Sequence, residues 1–481
     1  MDIRPVGYVI GLLVAFLGAA MLIPFGMDLV DRNDHWSVFL EASVITFTVG
    51  AMVALACSNG IKAGLTLQQS FLMTTTVWIA LPIFGALPFY LGATQANFTD
   101  AFFEAMSGLT TTGSTVFSGL DTLPRGLLLW RAMLQWFGGI GIVVVAMVFL
   151  PELRVGGMQI FRSEGFDTMG KILPRAAQIS GQISVIYVGL TVICALLYDI
   201  LGMQTFDAIV HALTTVSTGG FSSYDASFGT FSGPLEYVAV IFMILAALPF
   251  VRYVQMVNGH STAIFKDTQA KTFMAVIAVV VLVATFVLMT TLPRHGEQAF
   301  REALFNITSI MSGTGYASAD YMTWGPFLVM VFFFIGLIGG AAGSTACSVK
   351  IFRYQILFSS ISAQIRRIHS PHGIFRTKFA GQNVSDEVLN SVMSFFAYFI
   401  VTFGLLSVGL SMTGLDFITA VSGAATALAN VGPGLGDIIG PSGNFGSLNE
   451  TAKWLLIGAM LVGRLEIMAV LVLFTVKFWR S

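Results

Sequence analysis

Charge is what this sequence has least of. Asp, Glu, Lys and Arg make up only 10% of its 481 residues, where soluble domains carry about 25%. That poverty excludes an ordinary water-exposed domain. Cysteine is also scarce, and Cys57, Cys194 and Cys347 all lie within apolar stretches. An odd number so placed excludes a disulfide framework. The histidines are His35, His211, His260, His295, His369 and His372. Only the last two lie close together, and a metal site needs more ligands than these. No phosphate-binding loop, zinc-protease helix or dinucleotide fingerprint occurs. A nucleotide that regulates this protein must be bound by a partner. No catalytic constellation assembles either, which argues against a membrane enzyme. The first apolar run, 6–23, has no clear cleavage site and reads as a retained span.

Apolar sequence is abundant, with 56% hydrophobic residues and a mean hydropathy of +0.82. Roughly 20 apolar residues cross ~30 Å of hydrocarbon. Such spans are expected at 6–30, 38–57, 69–93, 126–150, 182–202, 235–258, 272–292, 326–350, 391–413 and 453–476. Lys and Arg orient them in the bilayer. With the N-terminus inside, the inner side takes Arg4, Lys62, Arg154, Arg162, Lys171, Arg175, Arg366, Arg367, Arg376, Lys378, Lys477 and Arg480, among others. The outer side has only Arg32, Arg125, Arg131, Arg294, Arg301 and Lys453. A positive bias marks the cytoplasmic face, so both termini are expected there. Asp100, Glu104, Asp207, Asp225, Glu236 and Glu302 gather on the outer side. They either concentrate cations at a mouth or are what topology leaves there.

Four glycine-bearing stretches recur at 110–115, 216–221, 312–317 and 429–434. Each closes a short apolar run that opens on Asp100-Ala101, Asp207-Ala208, Glu302-Ala303 or Thr419-Ala420. From that alanine to Gly113, Gly219, Gly315 and Gly432 the distance is 12, 11, 12 and 12 residues. This suits a short helix and a turn between two long spans, repeated four times. The expected fold is an all-α polytopic membrane protein. It has four helix–pore-loop–helix repeats (69–181, 182–271, 272–390 and 391–481) in pseudo-fourfold arrangement. An N-terminal hairpin, 1–68, stands outside the repeat.

Irregular backbone at membrane depth survives only when buried in protein or lining a watery path. Glycine at φ > 0 lets successive carbonyls turn one way. Carbonyls aimed at an axis replace the hydration shell of an alkali cation. A short helix ending at the loop adds the negative end of its dipole. The candidate filter is therefore Thr111, Thr112 and Gly113; Ser217, Thr218 and Gly219; Thr314 and Gly315; and Asn430, Val431 and Gly432. All four loops fall toward the outer face.

Arg464 lies mid-span, where a charge must face the protein interior or water. Glu466 is two residues away and off its helix face. Arg464 is expected to face the pore below the filter, with a partner on another helix as the alternative. The eighth span carries Gly339, Gly340, Gly343, Ser344 and Thr345, which are poor helix formers. It fits a tightly packed helix or an unwound segment projecting under the filter as a gate. Lys350 either supplements that gate or snorkels, and Arg252 is read as snorkelling. His211 is read as a hydrogen-bonded structural residue.

These features resemble the Trk/Ktr/HKT superfamily of cation transporters, in its bacterial branch. The resemblance rests on Asp100-Ala101-Phe102-Phe103-Glu104 and Leu109-Thr110-Thr111-Thr112-Gly113. Further matches are 133–141, 156–159, Gly219-Gly220-Phe221-Ser222, 430–436, Gly463-Arg464-Leu465-Glu466-Ile467 and the ending Phe478-Trp479-Arg480. It covers essentially the whole chain. It implies K⁺ uptake without enzymatic chemistry or a cofactor, and no nucleic acid. It also implies a homodimer with one pore per subunit in the inner membrane, and a cytoplasmic TrkA-like nucleotide-binding regulatory ring. The family's filter glycines fall on Gly113, Gly219, Gly315 and Gly432, its pore arginine on Arg464 and its gate loop on 339–350. The chain departs where Ala346-Cys347-Ser348 replaces a glycine cluster, which implies a stiffer loop. A proton- or Na⁺-coupled symporter is the rival; it would need a titratable group in the path, and only His211 and Glu466 are near.

Overall fold

The N-terminal hairpin packs backbone against backbone. Helices Arg4–Ala20 and Leu22–Val30 form one span, and Trp36–Cys57 returns alongside it. A Cβ on Gly11 would strike the Ala54 backbone, and one on Gly50 would strike Ala15. Small residues buy this close approach where no hydrophobic effect drives helices together. The computed structural model describes residues 2–60, 66–148, 158, 172–292 and 296–480. The expected inner-side Lys62, Arg154, Arg162 and Lys171, with Arg294, His295, the end of span 126–150 and most of the 156–159 motif, lie outside the described residues.

Four units of one pattern follow, each a long helix, a buried re-entrant helix, a loop and a second apolar helix, which in the third unit is cut short at Gly336. The first comprises Leu67–Gly85, Phe98–Leu109 and Arg125–Val148. The second comprises Ile172–Ile200, Thr205–Val216 and Pro234–Ala247, the last bent by 90° into Phe250–Val257. The third has Thr268–Thr291, Gly296–Ser312 and Pro326–Gly336, and the fourth Asp386–Met412, Phe417–Ala429 and Glu450–Arg464. Beyond Arg464 the chain turns by 103° into Met468–Leu471. Both bends have local causes. Pro249 lacks an N–H and holds Leu248 extended, with ψ 159°. Glu466 takes φ 62°, a left-handed conformation that ends a helix.

Where the protein meets lipid, it is apolar. Leu282 and Phe286 on Thr268–Thr291, and Leu405 and Met412 on Asp386–Met412, are exposed. The short helices are the opposite. Every residue from Ala101 to Leu109, and from Ser422 to Ala429, is buried. Asn97 and Asp416 cap the first and fourth by accepting from backbone N–H groups. Each short helix therefore starts near one surface and ends at the molecule's centre.

Seven described helices are long and apolar enough to cross a membrane, and each bent pair adds one more. This is a multi-pass membrane protein. The expected eighth crossing, 326–350, is not a continuous helix: it stops at Gly336. Residues 337–350 form a loop, pinned where Ile338–Gly339 pairs in parallel with Val349–Lys350. The small residues there cannot hold a helix against competing hydrogen bonds. Residues 351–390, which lie between two expected spans, contain a further helix, Ile351–His369, and a small hairpin of Lys378–Phe379 with Gln382–Asn383. Only Ile351, Phe352, Arg353 and Ile356 of that helix are buried, so composition gave it little apolar signature.

Candidate functional site: a ring of four glycine loops

The four loops share one backbone signature. Positive φ occurs at Thr111 and Gly113, Thr218 and Gly220, Gly313 and Gly315, and Asn430 and Gly432. Each pair is separated by one residue of ordinary φ. In the second loop the matching glycine is Gly220, one residue after the expected Gly219. Counted from Ala208 to Gly220, the spacing becomes 12 residues, as in the other loops.

The loops close on one another in cyclic order. A Cβ on Gly113 would collide with the carbonyl oxygen of Gly219 in the second loop. One on Gly220 would collide with Thr314 O in the third, and one on Gly315 with Val431 O in the fourth. One on Gly432 would meet Thr112 O in the first. Every such carbonyl belongs to the residue just before the next loop's glycine. Glycine is required at these four positions twice over, by φ and by the neighbouring oxygen.

Polar side chains tie neighbouring loops together. Asn430 Nδ2 donates to Thr112 Oγ1 at 2.8 Å, and Ser114 Oγ donates to Gly432 O at 2.7 Å. Thr214 bonds Tyr316 between the second and third units. Glu104 and Arg131, both buried, pair at 2.8 Å. Arg131 Nη1 also donates to Ser222 O at 2.7 Å, and Glu104 accepts from Val116 N at 2.9 Å. Arg131, expected on the outer side, is thus part of the loop scaffold. His211 is held on both ring nitrogens, by Asp207 O at 2.8 Å and Ser222 Oγ at 3.0 Å. Outside the ring lies a polar vestibule of about 230 Å³, lined in part by Ser114, Ser222, Asp225 and Asn444.

The outer acids are mostly engaged. Asp100 pairs with Lys453 at 2.6 Å and Glu236 with Arg301. Asp225 accepts from Gly119 N at 2.7 Å and Leu120 N at 3.1 Å. Asp207 accepts from Ser223 Oγ and Tyr224 Oη. Burial, then that bond to Asp207, pushes the Tyr224 phenol up to about 12. Of these acids, only Asp225 lines the vestibule.

Beneath the ring sits the loop 337–350. The kink at Pro249 interrupts its helix and frees the carbonyls of Ala246 and Ala247. Thr345 N and Oγ1 donate to Ala246 O, and Ala341 N donates to Ala247 O at 2.9 Å. Thr345 Oγ1 also reaches Val216 O at 3.2 Å, at the end of the second short helix. Ser348 N donates to Ala429 O, at the end of the fourth, at 2.8 Å. The loop is therefore bonded across the floor of the ring, and Gly339, Gly340, Gly343, Ser344 and Thr345 are all buried there.

Arg464 reaches this floor. Its Nη1 donates to Cys347 Sγ at 2.7 Å and lies 3.4 Å from Thr345 O. Its Nη2 lies 3.4 Å from Gly138 O. Among the described residues no carboxylate pairs with it, and its Nε has no partner. Cys347 Sγ is also 3.5 Å from Thr111 Oγ1, so one thiol touches both ring and arginine. Lys350 folds back to donate to Ala346 O rather than reaching outward. The cavity between Arg464, Lys350, Cys347 and Asn430 is about 30 Å³, room for about two waters. Glu466 also lines this cavity, but it accepts from Arg353 Nη2 at 2.5 Å rather than from Arg464. Arg252 pairs with Asp267 at 2.8 Å, where sequence suggested snorkelling.

Sequence reasoning missed Gln135, Glu104 with Arg131, Cys347, and the Arg353–Glu466 pair. Gln135 carried a usable signal, since a polar residue deep in an apolar span is functional by default. Arg353 carried none, because its helix reads as a polar link.

Comparison with known proteins agrees with this architecture. The profile of TrkH, described as a cation transport protein, matches residues 35–480. The Trk system potassium uptake protein TrkI of Halomonas elongata is 40% identical over 99% of this chain and 97% of its own. The Trk system potassium uptake protein TrkH of Escherichia coli K12 is 35% identical, with both chains covered in full. The crystal structure of the potassium transporter TrkH from Vibrio parahaemolyticus superposes with a TM-score of 0.90 at 34% identity, over 100% of both chains. A fourfold pore-loop repeat with a matching profile over nearly its whole length leaves one assignment: this chain belongs to the TrkH family of cation transport proteins, which are transporters rather than enzymes.

Proposed function

We propose that this protein carries K⁺ into a bacterial cell across the inner membrane, through the ring of the four loops. The cyclic contact of each loop's glycine with the next loop's carbonyl is the observation that carries the reading. The filter consists of Thr111, Thr112 and Gly113; Ser217, Thr218, Gly219 and Gly220; Thr314 and Gly315; and Asn430, Val431 and Gly432. The relatives named for potassium uptake support K⁺ as the ion. The short helices supply negative dipole ends at the ring. The membrane potential, worth ~2.3 kcal/mol per charge per 100 mV, drives entry without chemistry. Coupling to protons is disfavoured by the same structure: His211 is bonded on both nitrogens and Glu466 is paired.

The loop 337–350 and Arg464 act as the gate, and the present arrangement is its closed form. The support is the ~30 Å³ cavity beneath the ring, too small for a cation with its water shell. The protein works as a homodimer with cytoplasmic termini, under control of a nucleotide-binding ring on its inner face. The chain's own lack of a nucleotide fingerprint supports a separate regulatory partner.

Purified protein in liposomes tests the reading. Rb⁺ should enter under an inside-negative potential without a pH or Na⁺ gradient. Gly113→Ser should admit more Na⁺ relative to K⁺, because a side chain there meets the Gly219 carbonyl. An unchanged ratio in folded Gly113→Ser protein would reject the ring as the filter. Growth rescue of a K⁺-uptake-deficient cell on low K⁺ gives the matching result in vivo.

A further inference from the structure

The second loop differs from the other three in how its ring carbonyl is held. Gln135, fully buried on the helix Arg125–Val148, spans this loop with both ends of its amide. Its Nε2 donates to Gly219 O at 2.5 Å, and its Oε1 accepts from Phe221 N at 3.0 Å. The equivalent carbonyls of Thr112, Thr314 and Val431 meet no donor among the described residues. Gly219 itself has ordinary φ, so backbone strain does not explain its lack of a side chain. Space does, because a Cβ there would overlap the Gln135 amide. The paired glycines of this loop thus serve different ends: Gly220 closes the ring, and Gly219 makes room for Gln135.

We infer that Gln135 is a positioning residue for ion selectivity, tethering the Gly219 carbonyl so that the ring cannot contract around Na⁺. A carbonyl has two lone pairs. One is committed to Gln135, which leaves the other for an ion and weakens its field. Filters discriminate by the number, field strength and freedom of their carbonyls. A smaller cation gains only if the oxygens move inward after it. The second loop is fixed at Gly219 O and again at Phe221 N, two residues later, so this quadrant resists that movement. K⁺, which needs no contraction, loses little.

The inference rests on the ring being the ion's path, and the test separates the two. Rb⁺ flux with Na⁺ competition is measured in liposomes for the parent, Gln135→Met, Gln135→Glu and Gly220→Ser, with the thermal midpoint of each preparation. Gln135→Met keeps length and volume but loses both hydrogen bonds. Gln135→Glu keeps the acceptor for Phe221 N–H and places a carboxylate oxygen against Gly219 O. Both should lower the K⁺/Na⁺ ratio by about tenfold, the order of one lost hydrogen bond, while Rb⁺ flux persists. A parent-like ratio in either folded variant, with Gly220→Ser altered, overturns the role of Gln135 alone. A parent-like ratio in Gly220→Ser as well overturns the ring as the filter.

Discussion

Two buried arginines show how differently a charge can be accommodated at the residue scale. Arg353 is paired with Glu466 at 2.5 Å and lies over the Phe395 ring at 3.8 Å. Arg353→Ala leaves that carboxylate buried and alone, and should lower stability by about 3–5 kcal/mol. Thermal unfolding in detergent checks it, with Glu466→Gln as the milder partner. Among the described residues Arg464 has no carboxylate to orphan, only a thiol and carbonyls. Arg464→Ala should therefore fold and conduct faster. At ~6 Å and an effective dielectric constant near ~20, the repulsion it removes is on the order of 3 kcal/mol, so flux should rise about tenfold to a hundredfold. A poorly folded Arg464→Ala, with flux no higher, would return this residue to a structural role. Sequence expected Arg464 and Glu466 on different faces of one helix; the helix instead ends at Arg464, and Glu466 pairs with Arg353 from a helix more than a hundred residues earlier.

At the scale of elements, the loop 337–350 and the short helices make contrasting demands. The loop is bonded to carbonyls that a proline kink and two helix ends leave open, so its backbone is satisfied without being helical. Cys347 adds a side chain that joins Arg464 to Thr111. Cys347→Gly should loosen this join and raise basal Rb⁺ flux several-fold, roughly the worth of one hydrogen bond, with the thermal midpoint little changed. The first and fourth short helices have side-chain caps instead. Asp416 accepts from Ile418 N and Thr419 N, and the Thr419 bond holds its carboxyl below the usual carboxylate range. A lowered folded-state pKa contributes stability above the ordinary carboxylate value and loses it as pH falls through the folded one. Asp416→Ala should thus cost about 1 kcal/mol at neutral pH. The difference from the parent should shrink in acid, as thermal melts at pH 7 and below pH ~4 would show.

The whole molecule sets the ring proposed as the filter, since each loop contributes one edge and the next loop supplies its wall. The face expected to lie inside carries Arg366, Arg367, Arg376 and Lys378, on or just beyond the exposed end of the helix Ile351–His369. Neutralising all four should weaken co-purification with a nucleotide-binding ring while leaving flux through the isolated protein intact. Undiminished capture would reject this patch as a docking site.

Much of this was written in local sequence. Apolar length set the spans, the poverty of charge set the membrane, and the repeated polar–alanine–glycine spacing set the four units. These are periodic, short-range signals, and a chain carries them without folding. Register and partnership were different. Gly219 and Gly220 are adjacent and chemically identical, and only the Thr314 carbonyl and the Gln135 amide distinguish them. The eighth span read equally as helix or loop, until the carbonyls freed at Pro249 in another unit gave its backbone somewhere to bond. Such choices rest on groups brought together from distant parts of the chain, where one hydrogen bond or one collision decides. Local propensity has no access to that information, and the tertiary structure supplied it.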